Sequence, residues 1–459
     1  MFSQGQPRYY AEEQALLPPL GLLSVAGYLL EKCPRHEVRV LDMPALNLGP
    51  EGLASHLSDF RPDIVGLSCL TNLLVDTLLT ARAAKQAWPG APVVLGGFHT
   101  QLFPRETLAM PEVDAVVIGA GEIPFARLLE GFEASGRIPR LPGVIPRGEE
   151  VGELAGEIQT VEEPDLLPLP ARHLTPYRLY YSAAGVSTPT TMVMTSFGCP
   201  FRCIFCNTSH VRKMTFKSAA RIAEEFSACV RLGIREIWVL DENFTVNRGR
   251  VLALSEEIRR RGLRVPWSIK SRVDLVDVEL LRALKHAGCT SIHFGVESGD
   301  ERMLEFIRKD ITKEQVRRAF RLARAEGLEV TASFMLGFPG ETRAQIKATI
   351  AFALELEPNY VQFSVAIPLP GTDLYRMGLE RGLFPRDHWQ EFARNPTASF
   401  RPPVWNEIFS REELEDLLDT AYRRFYLRPR YVWRRVRRLH SLDELRRDLQ
   451  IGLRFLTRR

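Results

Sequence analysis

Apolar positions in this chain fall into two series of short continuous runs, separated by longer segments in which they recur every three to four residues. The first series is "EVRVLD", "PDIVGLSC", "PVVLGG" and "VDAVVIGAGE", all within residues 37–122. Each run is rich in β-branched residues and continuous rather than alternating, the pattern of parallel strands buried on both faces. Between them, "PEGLASHLSDF" and "NLLVDTLLTARAAKQAW" carry helical spacing. Strand alternating with helix predicts a doubly wound open α/β sheet, which binds ligands beyond the carboxyl ends of its strands.

The second series starts at Thr190. Its strand candidates are "TTMVMTS", "REIWVLD", "PWSIKS", "TSIHFGV", "EVTASFMLGF" and "YVQFSVAIP". Amphipathic helical segments separate them, from "KSAARIAEEFSACVRLG" to "TRAQIKATIAFALELE". Six such βα units predict a partial (β/α)6 barrel with its chemistry at the strand C-termini. Residues 140–185 are rich in Pro and polar turns and read as a connector packed on the surface. Beyond about residue 395 the pattern becomes helical and basic, with two or three amphipathic helices broken at Pro429 and Ser441. The expected division is therefore 1–140, a linker at 141–185, the barrel at 186–395 and a helical region at 396–459.

Charge and composition change this picture little. Apolar residues make up 45% of the 459, enough for sizeable cores. The net charge of +4 conceals an asymmetry: from Ala421 onward thirteen Arg face three acidic residues, which leaves the preceding 420 residues at −6. A basic pI is thus no argument for a nucleic-acid partner, and none is expected. The basic helices read most plainly as a solvated face. They also offer a peripheral contact with an anionic membrane, using Trp433, Phe425 and Phe455 as apolar anchors. The longest apolar run, near residues 19–30, is too short to span a bilayer, and the N-terminus lacks the pattern of a signal peptide. A soluble, cytoplasmic protein is expected. Seven cysteines, an odd number, fit a reducing compartment. Cys33, Cys69, Cys229 and Cys289 are scattered singly and expected to pack as small hydrophobes.

The other three cysteines lie in "TSFGCPFRCIFCN", directly after the first strand of the second series. Three thiolates on one loop suit a soft metal centre. Structural zinc normally takes four protein ligands, so zinc would require a partner such as His210. A [4Fe-4S] cluster takes one thiolate per iron, so Cys199, Cys203 and Cys206 would leave one iron open to a small molecule. In the first series, Ser68 and Thr71 follow one strand. Gly96 and Gly97 precede His99 after the next, and Gly119 and Gly121 precede Glu122 after the last. Glycines there either form tight turns or admit a ligand close to the backbone.

The Cys199–x3–Cys203–x2–Cys206 spacing, with aromatic Phe205 before the last thiol, resembles the radical S-adenosylmethionine superfamily. The resemblance extends over residues 190–375. It implies that S-adenosylmethionine binds the open iron and is cleaved reductively to a 5′-deoxyadenosyl radical. It carries over further cofactor contacts: Asp241, Glu242 and Asn243 in "VLDENFTVN", toward the methionine amino group; Ser271 and Arg272 in "SIKSRVD", and Glu297 and Ser298 in "HFGVESGDERML". In "MLGFPGET", Gly337, Phe338, Pro339 and Gly340 would hold adenine on backbone, and "IPLPGTDLY" closes the sixth unit. Taken singly, Arg272 or Glu297 reads as a surface ion pair.

Residues 1–140 resemble the Rossmann-like cobalamin-binding domain fused to many members, through "LPPLGLLSVAGYLLE", "VRVLD", "GGFHT" and "VDAVVIGAGEIPF". The segment after Asp42, "DMPALNLG", lacks the His that binds cobalt from below in other cobalamin domains, which implies cobalt without a lower His ligand. No apolar run precedes "LPPLG", so either the start site is misplaced or the sheet lacks the strand with which that domain usually begins.

The resemblance implies a cobalamin-dependent enzyme that methylates an unactivated carbon of a small molecule or lipid. Its electrons would come from an external donor such as flavodoxin or ferredoxin. The alternatives are oxidative cyclisation or carbon–carbon coupling, as in anaerobic tetrapyrrole ring cyclases, and a non-catalytic cluster or cobalamin carrier. A tRNA methylthiotransferase needs three further N-terminal cysteines, where only Cys33 and Cys69 are present.

Overall fold

A computed structural model describes residues 15–152, 161–182, 185, 187–208 and 213–436. The N-terminal sheet contains β1 (Val65–Ser68), β2 (Val93–Gly96), β3 (Ala115–Val117) and β4 (Val144–Pro146), in that spatial order. β1 to β3 are parallel, as their continuous apolar runs predict, and β4 is antiparallel. β4 comes from the segment expected to lie on the surface, yet Val144 and Ile145 are buried. The same segment also buries Arg172 and Tyr180. Conversely, residues 37–42, read as a strand, join no ladder among the described residues. Val38 instead packs against Leu29 and Ala126 on the helices Leu20–Lys32 and Glu122–Ser135. Asp42 is fixed by the Tyr180 hydroxyl, which donates to it at 2.6 Å. Residues 1–14, which bear on the expected missing strand, lie outside the described residues, and so does Ser441.

The second sheet holds β5 (Thr190–Val193), β6 (Glu236–Val239), β7 (Trp267–Ser271), β8 (Cys289–Glu297), β9 (Glu329–Leu336) and β10 (Tyr360–Val365), all parallel and in sequence order. All six strands read from the sequence for this second series are present. The helices begin at side-chain caps, with capping boxes at Thr312/Gln315, Thr342/Gln345 and Ser410/Glu413. The open edge at β10 is covered by the helix Arg411–Tyr426. The Tyr422 hydroxyl accepts from the Phe363 N–H (3.1 Å) and donates to its carbonyl (2.8 Å), and Tyr426 serves Val361 in the same way. Unpaired edge groups thus find partners without another strand.

Both sheets contribute to one continuous hydrophobic core. The short helix Pro104–Leu108 meets His388–Arg394, and Gln390 donates to Glu106 across that contact. Among the described residues no helix is long and apolar enough to cross a membrane. Of the three expected membrane anchors, Phe425 is fully buried against Tyr426 and Tyr431, so it is no anchor. Trp433 is exposed, and Phe455 lies outside the described residues.

Candidate active site

The chain enters the thiol loop through Thr195 and Ser196, and a single carboxylate organises that entry. Asp241, fully buried two residues beyond β6, accepts from the backbone N–H of Thr195 (2.6 Å) and of Ser196 (3.1 Å). Its other oxygen accepts both hydroxyls at 2.5 Å. Arg250 donates to the Thr195 carbonyl at 2.8 Å and lies 3.4 Å from Asp241. Burial pulls the Arg250 guanidinium below its ordinary value, and Asp241 opposes that shift. Ser196–Phe197 pairs with Thr215–Phe216 to close the base of the loop. Lys217 and Arg172 then clamp buried Glu225 at 2.7 and 2.6 Å.

Cys203 is buried, while Cys199 and Cys206 are partly exposed. Burial pushes the Cys203 thiol up to about 11, against the pull of Lys309 and Arg272. Burial also raises Cys199, where the Phe201 N–H and Arg272 act in the opposite sense. Between the thiols, Ile204 is bonded through its N–H to Ile307 and through its carbonyl to Leu374. The Phe205 ring leans on Phe338 with centroids 5.6 Å apart. Among the described residues no three His, Cys, Asp or Glu side chains are gathered tightly enough to hold a single metal ion. Three thiols on one loop suit a polynuclear cluster, in which each thiolate serves a different iron. His210, the alternative zinc ligand, lies outside the described residues.

Around the loop stand the ends of the next strands. Glu242 is exposed and close enough to Cys199 to act on it electrostatically. Asn243 is buried with its Nδ2 unpartnered, and its Oδ1 accepts from the Arg272 N–H at 3.4 Å. Arg272 forks onto Asp274 (2.9 and 3.0 Å), donates to the Lys309 carbonyl, and lies 3.9 Å over the Phe201 ring. Its Nη1 has no partner. Glu297 holds a left-handed backbone (φ +73°) at a bulge in β8 and binds Lys309 at 3.0 Å. A non-glycine residue there is strained. Arg272 and Glu297 are both buried, so neither is a surface ion pair.

The structure thus brings Asn243, Arg272 and Glu297 together beside the thiols. Unpartnered buried donors at Asn243 and Arg272 fit an anionic or carbonyl-bearing ligand such as an amino-acid carboxylate. Other expected contacts are engaged internally. Asp241 holds the loop; Ser271 bonds Thr245; Ser298 meets Thr349 and the Asp300 N–H. The N–H groups of Gly337 and Phe338 both donate to buried Glu341, at 2.7 and 3.1 Å, and Pro339 is buried beside them while Gly340 is exposed. Arg250, Glu341 and Lys309 were not singled out in the sequence. Nothing in their spacing marks them, because each acts through a fold-level neighbour.

At the N-terminal sheet, Ser68 is exposed at the end of β1, and Leu70 and Ile123 expose apolar side chains near the strand ends. Thr71 lies 3.2 Å from His99 Nδ1. His99 is fully buried with Nε2 unpartnered, and burial lowers its pKa to about 4. Gly97 holds φ +105°, and a Cβ there would lie 2.7 Å from the Cys69 carbonyl, so this glycine is required by packing. Gly96 has ordinary clearance, and Gly119 holds φ +81°. Gly121 packs on Val25, and Glu122 accepts from Ser24 at 2.6 Å. A cavity of about 310 Å³ separates the two sheets' loops, lined by Leu102 and Phe103 from one side and by Pro370, Thr372 and Tyr375 from the other. None of the expected cofactor contacts Ser68, Thr71, Gly97, His99 or Glu122 lines this cavity.

Residues 193–353 match the family model described as the radical SAM superfamily, and residues 11–129 match that of the B12 binding domain. An uncharacterized methyltransferase of Pyrococcus horikoshii is 36% identical, over 90% of this chain and 89% of its own. The chain belongs to the B12-binding branch of the radical SAM superfamily. Among other relatives of this radical SAM enzyme, the anaerobic magnesium-protoporphyrin IX monomethyl ester cyclase of Cereibacter sphaeroides is 27% identical, over 97% of this chain and 74% of its own. The solved structure of the cobalamin-dependent S-adenosylmethionine radical enzyme OxsB, with aqua-cobalamin and S-adenosylmethionine bound, superposes with a TM-score of 0.70. It covers 95% of this chain and 68% of its own at 16% identity, which shows a shared fold.

Proposed function

We propose that this radical SAM enzyme is a cobalamin-dependent C-methyltransferase acting on an unactivated carbon of a small molecule or lipid. The observation that carries the reading is the Cys199–Cys203–Cys206 loop at the mouth of the barrel, with the unpartnered donors of Asn243 and Arg272 beside it. The three thiols would hold a [4Fe-4S] cluster. Asn243, Arg272 and Glu297 would hold S-adenosylmethionine, and the strand ends around Ser68, Thr71 and Gly97 would hold cobalamin. Together these groups supply hydrogen-atom abstraction and methyl donation. This chain's own residues position them: Asp241 and Arg250 fix the loop, and Phe205 and Phe338 wall it. A flavodoxin or ferredoxin would deliver electrons.

The methyltransferase relative supports methyl transfer. The cyclase relative, matching nearly the whole chain, supports oxidative cyclisation as the second reading. Products separate the two. Reconstituted enzyme turning over its substrate should release 5′-deoxyadenosine and S-adenosylhomocysteine together. 5′-Deoxyadenosine without S-adenosylhomocysteine would favour cyclisation.

A further inference from the structure

The inner face of the six-stranded sheet is the wall that the helices leave uncovered. In β9, Val330, Ala332, Phe334 and Leu336 are fully buried, while Thr331, Ser333 and Met335 between them are only partly so. In β8 and β7 the same alternation buries Ile292, Phe294, Trp267 and Ile269 and leaves His293 and Lys270 on the other side. Ring contacts identify the covered side: Trp267 meets Phe226 at 5.7 Å and Phe294 meets Phe320 at 5.5 Å, both on packed helices. Side chains of alternating residues point to opposite faces, so Lys270 and His293 line the concave surface.

Strand register sets Lys270, His293 and Thr331 side by side across the three central strands. The His293 Nε2 lies 2.5 Å from Ser333 Oγ, and Ser333 is in register with Gln362 of β10. Toward the strand ends, Lys309 and Glu297 lie over Gly295, where a Cβ would come within 2.9 Å of the Lys309 Nζ. Burial lowers His293 to about 4, with Lys270 and Lys309 adding to the effect, so the imidazole is neutral at ordinary pH. Lys309 is paired with Glu297. Lys270 is exposed in a central strand and has no carboxylate partner among the described residues. His293 and Ser333 satisfy one another, but a purely hydrocarbon ligand on this wall would leave the Lys270 cation and the Thr331 hydroxyl dry and unpaired. An anion would meet a charge-assisted donor flanked by neutral ones. Trp238 and Met335 supply apolar surface on the same face.

We propose that the substrate is a small acidic molecule whose carboxylate or phosphate seats on Lys270, with His293 and Thr331 as its neighbours. This rests on the radical SAM reading above, since the wall opens at the same strand ends as the thiol loop. The test is calorimetric titration of the reconstituted holoenzyme, saturated with S-adenosylmethionine, with inorganic phosphate and separately with succinate. At least one anion should bind, and which one distinguishes phosphate from carboxylate recognition. Affinity should fall by about tenfold or more in Lys270→Gln and survive in Lys270→Arg. The proposal is overturned if neither anion binds, if Lys270→Gln binds as tightly as the wild type, or if binding disappears once S-adenosylmethionine is present. Wild-type release of 5′-deoxyadenosine under dithionite without substrate reports on the radical reading by itself, so the two can fail independently.

Discussion

Two buried carboxylates show how one residue can shape the site without touching a substrate. Asp241 accepts four hydrogen bonds from Thr195 and Ser196 and lies beside Arg250. Asp241→Asn turns one acceptor into a donor facing donors and leaves Arg250 buried without its charge partner. The expected cost is about 3 kcal/mol, with lower iron incorporation on reconstitution; denaturant unfolding and iron analysis check both. Glu341 is different. Burial raises its carboxyl from an ordinary 4.5 to about 7, although two N–H groups favour the ionised form. The native state therefore holds the proton more tightly than the unfolded chain. The resulting stability is complete below about pH 4.5 and is lost as the pH rises through 7. Relative to Glu341→Gln, the wild type should lose up to ~3 kcal/mol between pH 4.5 and 8.5. A difference that does not change with pH would contradict the assignment.

At the scale of elements, strands were legible where burial on a covered face enforces a continuous or alternating apolar pattern, as in β5 to β10. The segment at 37–42 has the same local pattern but packs Val38 on helices, because a run of valines specifies burial and not the neighbour that buries it. β4 was hidden by its Pro and Gly surroundings: an antiparallel edge strand of three residues carries too few positions to set a period. Gly97 was legible as a special glycine, and the Cys69 carbonyl supplies a packing reason for it that no spacing reveals. Gly97→Ala should cost about 1–3 kcal/mol through left-handed strain and overlap. Lower cobalamin retention after gel filtration should accompany the loss. On the opposite flank, Tyr422→Phe removes both bonds to Phe363 and leaves a buried N–H unpaired. The expected loss is about 1–3 kcal/mol in denaturant unfolding, with the thiol loop unaffected.

For the whole molecule, the thiol triad, the strand ends and the second domain were readable as separate motifs, because each has its own spacing. Their relation was not. Sequence places Asp241 and Ser298 at the same kind of strand end as Asn243 and Arg272. Only the fold shows that the first pair is engaged internally and that the second keeps open donors. Docking of the two domains through Glu106, Gln390 and a shared core is likewise a product of tertiary packing. The central claim is that this loop holds a cluster that cleaves S-adenosylmethionine. The most direct measurement is anaerobic reconstitution of the wild type and of Cys203→Ala with iron, sulfide and cobalamin, followed by dithionite reduction and quantification of 5′-deoxyadenosine. The wild type should form it and Cys203→Ala should form none above the enzyme-free background; equal yields from both, or none from a wild type carrying a full cluster, would contradict the account.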